Sequence, residues 1–464
     1  MLFRVCQPVS CQLPTANCYM TSMDLIIGPI YFLLILALAY FLRPLFTDNV
    51  TKRYFIPALT LKMIAAICLG LLYQFYYVGE GGDTFGYYYG AKRIWEFFLE
   101  NPVNAFRIIF WNGEFGGGIY QLVSRIPHYT DYSAFQIDRF AGFFGLFTFG
   151  NYTGIALLFA VLSFSGSWAL YASLKKHYPD IHKWLAVAIL FIPSVVFWGS
   201  GILKDTLTFS VLCWMIWAFM NLTIFQKKRV FSILVLVLGF LLIFTIKKYI
   251  LLIFLPALIL WFYRVHIGKV RNSFIRAVLT PVMLALMVFS GYRAVIAVGE
   301  DDPKYSVENL TQTVYVTAHD IRYWTGREAG SGYDLGTIPE TTQDMLMMFP
   351  AAINVSIFRP YLWEVSNPLM LMLALESFIF LLIVIVLIYK IRLRLIQHFL
   401  NDPFLIFALV FTLGFAFAVG ISTWNFGTLV RYKLPLMPIF GAMLAVLNSY
   451  TTKQKRSNLY NTRY

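Results

Sequence analysis

The sequence predicts an all-α integral membrane protein with about 11 transmembrane helices, and three observations support this prediction. First, 59% of the 464 residues are apolar and only 13% are charged, against about 25% charged in a soluble domain. Second, apolar runs of roughly 20 residues, the length that crosses a bilayer, recur along the chain. Third, Lys and Arg concentrate in alternate short loops. This composition excludes an ordinary soluble enzyme and a disordered chain.

The predicted spans are the apolar runs that are long enough to cross a membrane. Pro or Gly inside several of them is tolerated in membrane helices. The polar tail 1–24 is either a short exterior tail or the artefact of an upstream start codon. The remaining chain forms one polytopic domain, 25–449, followed by a basic tail, 450–464. The spans are 25–42, 55–78, 151–173, 184–199, 206–225, 230–246, 249–263, 277–298, 368–389, 403–421 and 434–449.

The basic loops predict the orientation of these spans. The formal net charge is +14, and loops rich in Lys and Arg stay in the cytoplasm. The C-terminus is therefore expected inside, and the N-terminus and the long loops 79–150 and 299–367 outside, in a bacterial cytoplasmic membrane. The positive charge thus reflects topology, and no nucleic-acid partner is expected.

The two long exterior loops contain further helical patterns. Segments 90–100 and 102–111 have one apolar face, which predicts helices lying at the membrane interface. Segment 140–149 is apolar but too short to span, so it is interpreted as interfacial or re-entrant. In the second loop, helices near 304–325 and 340–356 flank a Gly-rich link.

The first candidate site follows the second span, in the segment Glu80-Gly-Gly-Asp83. Two glycines allow a sharp turn, which leaves Asp83 at the membrane surface with Tyr87 four residues later. Such a carboxylate can act as a general base on an acceptor hydroxyl or bind a divalent cation. The alternative is that Asp83 caps a helix beginning near Thr84.

Two short exterior turns bring cations to the same side of the membrane. Lys204 and Asp205 occupy a Gly-rich hairpin, where Lys204 either holds a phosphate oxygen or forms a local ion pair. Lys247 and Lys248 run against the positive-inside trend, which indicates an anionic partner such as a lipid diphosphate. The alternative for this pair is snorkelling to lipid headgroups.

Two later segments add further exterior charges. Arg359 and Glu364 lie in an aromatic-rich stretch before the ninth predicted span. There, Arg359 either grips phosphate or pairs with Glu364. Arg431 and Lys433 enter the last span, either as a phosphate-binding pair or as flanking charges. All these positions face the exterior in the predicted topology, which is typical of a site for an acidic substrate.

Charges inside the predicted spans are few. Lys62 lies near the cytoplasmic end of its span and is expected to snorkel. Glu376 lies about two turns into its span without an evident partner, which leaves a proton-coupled role open. The six His and five Cys residues form no recognised metal motif. The only cofactor considered is therefore a divalent cation near Asp83.

The segment Gly-Gly-Asp-x-x-x-Tyr (81–87) and the segment Arg-Tyr-x-Leu-Pro-x-x-Pro (431–438) resemble segments of the GT-C superfamily of multi-span glycosyltransferases. Segments 193–205 and 358–364 resemble multi-span membrane proteins of Bacteroidetes. The GT-C resemblance implies a polyprenyl-phosphate-linked sugar donor, Asp83 as catalytic base and exterior cations that hold the lipid phosphate. Glu80 is the nearest candidate for a second acidic residue, and span 25–42 is additional to the usual layout.

Three functions follow from these observations. The first is transfer of a sugar from a polyprenyl carrier to a glycan, lipid or protein acceptor, in cell-envelope polysaccharide biosynthesis or lipid glycosylation. The second is polymerisation or ligation of lipid-linked repeat units. The third is transport or flipping of a substrate across the membrane.

Overall fold

The structure is a computed structural model that describes Met20, residues 22–77, 82–267, 310–324 and 331–461 except 337, 340 and 393, and isolated positions between 270 and 289. Within these residues every regular element is a helix, and one isolated bridge joins Gly332 to Asn425. The helices are α1 Ser22–Phe46, α2 Lys52–Phe75, α3 Gly82–Glu100, α4 Pro102–Ile109, α5 Ile119–Val123, α6 Tyr132–Phe147, α7 Tyr152–His177, α8 His182–Leu190, α9 Pro193–Trp198, α10 Lys204–Met220, α11 Arg229–Ile246, α12 Lys248–Ile267, α13 Leu310–Trp324, α14 Thr342–Met347, α15 Phe349–Phe358, α16 Pro368–Ile391, α17 Arg394–Asn401, α18 Pro403–Thr423, α19 Phe426–Tyr432 and α20 Leu436–Asn461.

Eight of the described helices are long and apolar enough to cross a membrane: α1, α2, α7, α10, α11, α12, α16 and α18. Helices α19 and α20 meet at a bend of 68° and make a ninth span if they are counted together. Large apolar side chains on α1, including Leu25, Leu33 and Phe41, are exposed. Surfaces of this kind require a nonpolar surrounding, so the chain is an all-α, multi-pass membrane protein.

The predicted spans agree with these helices at eight positions, and 434–449 overlaps α20 from Leu436 onward. The interval 184–199 is different, because it holds two short helices, α8 and α9, instead of one continuous helix. The break lies at Ile192, whose extended backbone is the conformation favoured before a proline such as Pro193. Most of the predicted span 277–298 lies outside the described residues.

The chain divides into two compact units. The first comprises residues up to Ser163 together with Ser200–Leu207. Its first long loop contains α3 to α6, so helices occur where 90–100 and 102–111 predict them, and 140–149 belongs to the longer helix α6. Helices α3 and α6 pack along each other around an apolar core that includes Ile94, Ile108 and Phe135.

The second unit comprises Phe164–Gly199 and Thr208–Tyr464. Helix α18 packs against α12 and α15, and α20 packs against α8. The helix predicted near 304–325 is α13, whereas 340–356 forms two helices, α14 and α15.

The two charged residues that the sequence singles out inside spans, Lys62 and Glu376, have polar partners. Lys62 is 1% exposed and donates to the Ser163 hydroxyl at 2.9 Å, so the prediction that it snorkels is wrong. The reason is that Ser163, on the neighbouring span, supplies a buried acceptor. Glu376 accepts from the backbone N–H of Ser194 at 2.8 Å and from its hydroxyl at 2.6 Å. This partner lies 182 residues away in sequence.

Candidate functional site

Helix α3 of the first unit positions Asp83. The helix begins at Gly82, so Asp83 lies within the first turn and is exposed. The helix thus starts two residues earlier than the start near Thr84 that the capping alternative assumes. A negative charge in a first turn is favourable because the helix dipole is positive at that end. Glu80 lies in 78–81, outside the described residues.

One face of α3 leads from Asp83 to a histidine. Residues Asp83, Gly86, Tyr87 and Gly90 share this face because they are spaced three or four apart. Tyr87 is buried, and its ring centroid lies 4.9 Å from that of His128. At Gly86, a β-carbon would lie 3.2 Å from His128 Cε1. The imidazole therefore packs on the turn of α3 that follows Asp83.

His128 is held by a buried carboxylate on α6. Its Nδ1 lies 3.1 Å from Asp138 Oδ1 and 3.0 Å from Oδ2. Asp138 is 0% exposed, whereas the His128 side chain is 27% exposed. Gly90 gives the carboxylate its space, because a β-carbon there would lie 2.5 Å from Asp138 Cγ. The carboxylate therefore holds Nδ1, while part of the imidazole surface remains exposed.

The environment changes the pKa of both members of this dyad. Burial raises the pKa of Asp138 to about 7, although the hydrogen bond and charge of His128 act in the opposite direction. Burial by itself would lower the pKa of His128, but the hydrogen bond and charge of Asp138 outweigh it and raise that pKa. Shifted pKa values of paired groups are typical of functional sites.

Lys204 joins the same unit from the start of α10. Its Nζ lies 3.2 Å from Asp131 Oδ2 and 2.7 Å from the Ser133 hydroxyl. Asp131 is the N-cap of α6 and accepts from the backbone N–H groups of Ser133 and Ala134. Burial raises the pKa of Asp131, but the charge of Lys204 and these hydrogen bonds outweigh it and lower that pKa. Asp205 is 2% exposed in the first turn of α10.

The sequence interpretation missed three of these residues: His128, Asp131 and Asp138. A usable signal existed for two of them. Asp131 precedes Tyr-Ser-Ala at a helix start, which is a typical N-cap position. Asp138 interrupts the apolar segment that forms α6, and a carboxylate among apolar residues indicates a buried, partnered group. His128 carried no local signal.

In the second unit, the short helix α19 gathers cations. Lys247 is buried, with Nζ 4.4 Å from the centroid of the Tyr432 ring. The Arg359 guanidinium lies 5.6 Å from the centroid of the Phe426 ring. Cations over aromatic faces are favourable. The two ends of α19 therefore contact two of the predicted phosphate-binding residues. Lys247 is buried against Tyr432 and does not extend to lipid headgroups, contrary to the snorkelling alternative.

A loop segment fixes the start of α19. Tyr333 N donates to Trp424 O at 3.1 Å, and Phe426 N donates to Ser331 O at 2.9 Å. The Tyr333 hydroxyl also lies 2.6 Å from the Thr423 hydroxyl. These bonds hold the Phe426 ring in place under Arg359.

Two of the predicted cations are engaged in structural contacts. Arg359 Nε lies 3.0 and 3.1 Å from the two carboxylate oxygens of Glu364, and a second guanidinium nitrogen also bonds to it. Burial raises the pKa of Glu364, but bonds from Arg359 and the Tyr361 N–H outweigh it and lower that pKa. Lys433 is buried and donates to Ser356 O at 3.1 Å.

Two further predicted phosphate-binding cations of this unit are Arg431 and Lys248. Arg431 lies in the last turn of α19 and is half-buried. Lys248 begins α12, with Nζ 5.2 Å from the Phe244 ring centroid. Lys247 and Arg359 contact aromatic rings of α19, and Lys433 follows its last residue. This part of the second unit is therefore rich in basic side chains.

Within the residues that the structure describes, no group of three or more His, Cys, Asp or Glu side chains is placed to hold a metal ion. Comparison with known proteins found no matching family model, no matching curated protein and no matching solved structure.

Proposed function

We propose that this chain is a membrane glycosyltransferase that moves a sugar from a polyprenyl-phosphate carrier to a glycan, lipid or protein acceptor. The resemblance of segments 81–87 and 431–438 to the GT-C superfamily suggests this reaction. The reaction takes place on the exterior face of the bacterial cytoplasmic membrane, with the N-terminus outside and the C-terminus in the cytoplasm. The basic loops support this orientation.

One observation carries the proposal: the face of α3 that begins with Asp83 continues directly into the His128–Asp138 dyad. The ring of Tyr87 on that face contacts the His128 ring at a tilt of 40°, and the charge of Lys204 acts on both members of the dyad. The first unit thus combines a carboxylate, an imidazole and an ammonium group. Sugar transfer needs a base for the acceptor hydroxyl and positive charge for the departing phosphate.

The proposed roles follow from exposure and charge. Asp83 is exposed in the first turn of α3, so it can reach an acceptor hydroxyl and remove its proton. Lys204 supplies an ammonium group for the phosphate. In the second unit, the basic side chains around α19, with Lys247 and Arg431, suit an anionic lipid headgroup.

Lipid-linked sugars in a strain that lacks this chain provide the test. We expect the polyprenyl-phosphate sugar to accumulate and one sugar to disappear from the mature glycan, as detected by mass spectrometry. Expression of the wild-type chain should restore the sugar, and expression of the Asp83→Asn variant should not. Unchanged glycans and lipid intermediates in the deletion strain would refute the proposal.

A polymerase or ligase of lipid-linked repeat units is the alternative within the same chemistry. The cations around α19 favour it, because such a reaction depends on binding diphosphate groups. The same strain distinguishes the two functions by glycan chain length. Loss of the polymer with accumulation of complete repeat units indicates polymerisation, whereas loss of one sugar indicates transfer.

A transporter is a second candidate function, favoured by an apolar cavity of about 620 Å³ in the second unit. Residues of α8, α16 and α20 line it, and Glu376 is one of its few polar lining residues. A buried carboxylate beside a cavity is typical of proton-coupled transport. Flux into liposomes that requires Glu376 but not Glu364, measured with Glu→Gln variants at each position, would support transport over transfer.

A further inference from the structure

We propose that His128 donates a proton to the phosphate oxygen that leaves the sugar, and that Asp138 is the positioning residue that holds its ring. This inference rests on the proposed transfer reaction and adds a second proton-transferring group to it. In this division of roles, Asp83 takes a proton from the acceptor and His128 gives one to the leaving group.

The geometry of the dyad determines which nitrogen is used. Asp138 contacts Nδ1 with both of its carboxylate oxygens, at 3.1 and 3.0 Å. A hydrogen bond to one ring nitrogen sets the tautomer and orientation of the ring. Nε2 is the nitrogen that Asp138 does not hold, and it lies beside Gly86, where a β-carbon would be 3.4 Å away. The absent side chain at Gly86 leaves space next to this nitrogen, and the proposed step uses it. Because Asp138 is 0% exposed and closely packed by Gly90, the ring has little freedom to turn.

The groups that face His128 favour its protonated form. Asp138 on α6 and Asp131 at the start of α6 stabilise an imidazolium, whereas Lys204 on α10 opposes it. The Tyr87 ring of α3 lies against the imidazole, with ring centroids 4.9 Å apart and a tilt of 40°. Burial and the charge of Lys204 act to lower the pKa of His128, but the hydrogen bond and charge of Asp138 and the charge of Asp131 outweigh them and raise it.

A raised imidazole pKa suits a proton donor better than a proton acceptor. Enzymes commonly separate acid and base roles by giving two titratable groups different environments. Here one group is an exposed carboxylate, Asp83, and the other is an imidazole held by a buried carboxylate. A departing phosphate gains negative charge, which a nearby imidazolium can neutralise by proton transfer.

The proposed step balances in atoms and electrons. The acceptor oxygen forms a bond to the anomeric carbon of the sugar and loses its proton to Asp83. The bond between that carbon and the phosphate oxygen breaks, and its electron pair stays on the phosphate oxygen. His128 Nε2 passes its proton to this oxygen, which gives the polyprenyl phosphate. Proton exchange with water then restores carboxylate and imidazolium.

The test is the pH dependence of kcat/KM for release of polyprenyl phosphate from its sugar-linked form, measured with the full chain in lipid nanodiscs. In the wild type, activity should fall as the pH rises through the raised pKa of His128. The His128→Gln variant should be about 10²–10⁴-fold slower and should lack this alkaline limb. The Asp138→Asn variant should retain the limb but shift it to lower pH.

The controls separate a proton-transfer role from a structural one. His319→Gln, at an exposed position of α13, should leave the profile unchanged. An equal loss of activity at every pH in both dyad variants, or an unchanged alkaline limb in His128→Gln, would overturn the inference. If His128→Gln does not fold, the direction of the shift in Asp138→Asn decides the question.

Failure of this inference differs from failure of the proposed function. A wild type that releases no polyprenyl phosphate from any sugar-linked carrier refutes the transfer reaction, and the donor role with it. An active wild type whose alkaline limb does not respond to either dyad variant refutes the donor role alone.

Discussion

Substitution of Gly90 by Ala should destabilise the first unit, although Ala is the better helix former. A β-carbon at this position would lie 2.5 Å from Asp138 Cγ and Oδ1 and 2.9 Å from Asp138 Cβ. Ordinary carbon contacts lie near 3.5–4.0 Å, so the carboxylate would have to move by about 1 Å. Since Asp138 is 0% exposed, no open space is available for that movement.

The magnitude follows from three contributions. Overpacking of a closely packed interior costs about 1–3 kcal/mol, and a weakened charged hydrogen bond to His128 costs about 1.5–3 kcal/mol. The helix propensity of Ala returns about 1 kcal/mol. We therefore expect a net loss of about 1.5–5 kcal/mol in the free energy of unfolding.

Gly145 provides the matched control because it lies in α6, the helix that packs against α3. A β-carbon there would meet Ile155 Cδ1 at 3.6 Å, an ordinary contact. The Gly145→Ala variant should therefore be as stable as the wild type or gain up to about 1 kcal/mol. Thermal unfolding of the purified variants in detergent measures the difference. If Gly90→Ala were as stable as Gly145→Ala, the packing argument for Asp138 would be refuted.

Two further predictions concern the second unit. Because Arg359 lowers the pKa of Glu364, this pair should add stability above the ordinary value of 4.5, and that contribution should be lost as the pH falls through the lower native pKa. As the pH falls below 4.5, the stability of Glu364→Gln should therefore change less than that of the wild type. An identical pH dependence of the two proteins would contradict the assignment. The Tyr178 hydroxyl donates its one proton in a bifurcated bond to the two oxygens of Asp402, at 2.8 and 2.9 Å, so Tyr178→Phe should cost about 1.5–3 kcal/mol. The Tyr450→Phe variant, which removes a single bond of 2.9 Å to Asp402, should lose less in the same denaturation assay, and the reverse order would count against this reasoning.

The membrane helices could be predicted from sequence because spanning length is a local property. A run such as 403–421 shows its role without reference to other parts of the chain. The break at Pro193 was missed because membrane helices tolerate proline, so its presence does not decide between a continuous and a broken helix. The pattern in the first loop also gave helices at the right positions, since an apolar face is visible in a short window.

The dyad could not be predicted in the same way. His128 meets Asp138 through the path of the loop before α6, and Gly90 matters because its missing side chain leaves room for Asp138 when α3 packs against α6. Lys204 reaches Asp131 from 73 residues further along the chain. Residue type and predicted side of the membrane identified Lys204 as a candidate, but its partner depends on tertiary packing.

The same limit applies to the cations of the second unit. Arg359 and Lys433 are similar in sequence terms, since both are basic residues close to a predicted span. In the structure, Arg359 pairs with Glu364, whereas Lys433 is buried and donates to a backbone carbonyl. Which cations are left for a ligand depends on partners that a sequence window does not contain.

Turnover by the purified chain tests the central claim most directly. The measurement is release of polyprenyl phosphate, with formation of the glycosylated acceptor, by wild type, Asp83→Asn and Glu100→Gln in lipid nanodiscs. Glu100 is the control because it is an exposed acidic residue at the other end of α3. We expect wild type and Glu100→Gln to turn over the carrier and Asp83→Asn to be at least about 10²-fold slower. Full activity in a correctly folded Asp83→Asn variant would contradict the account.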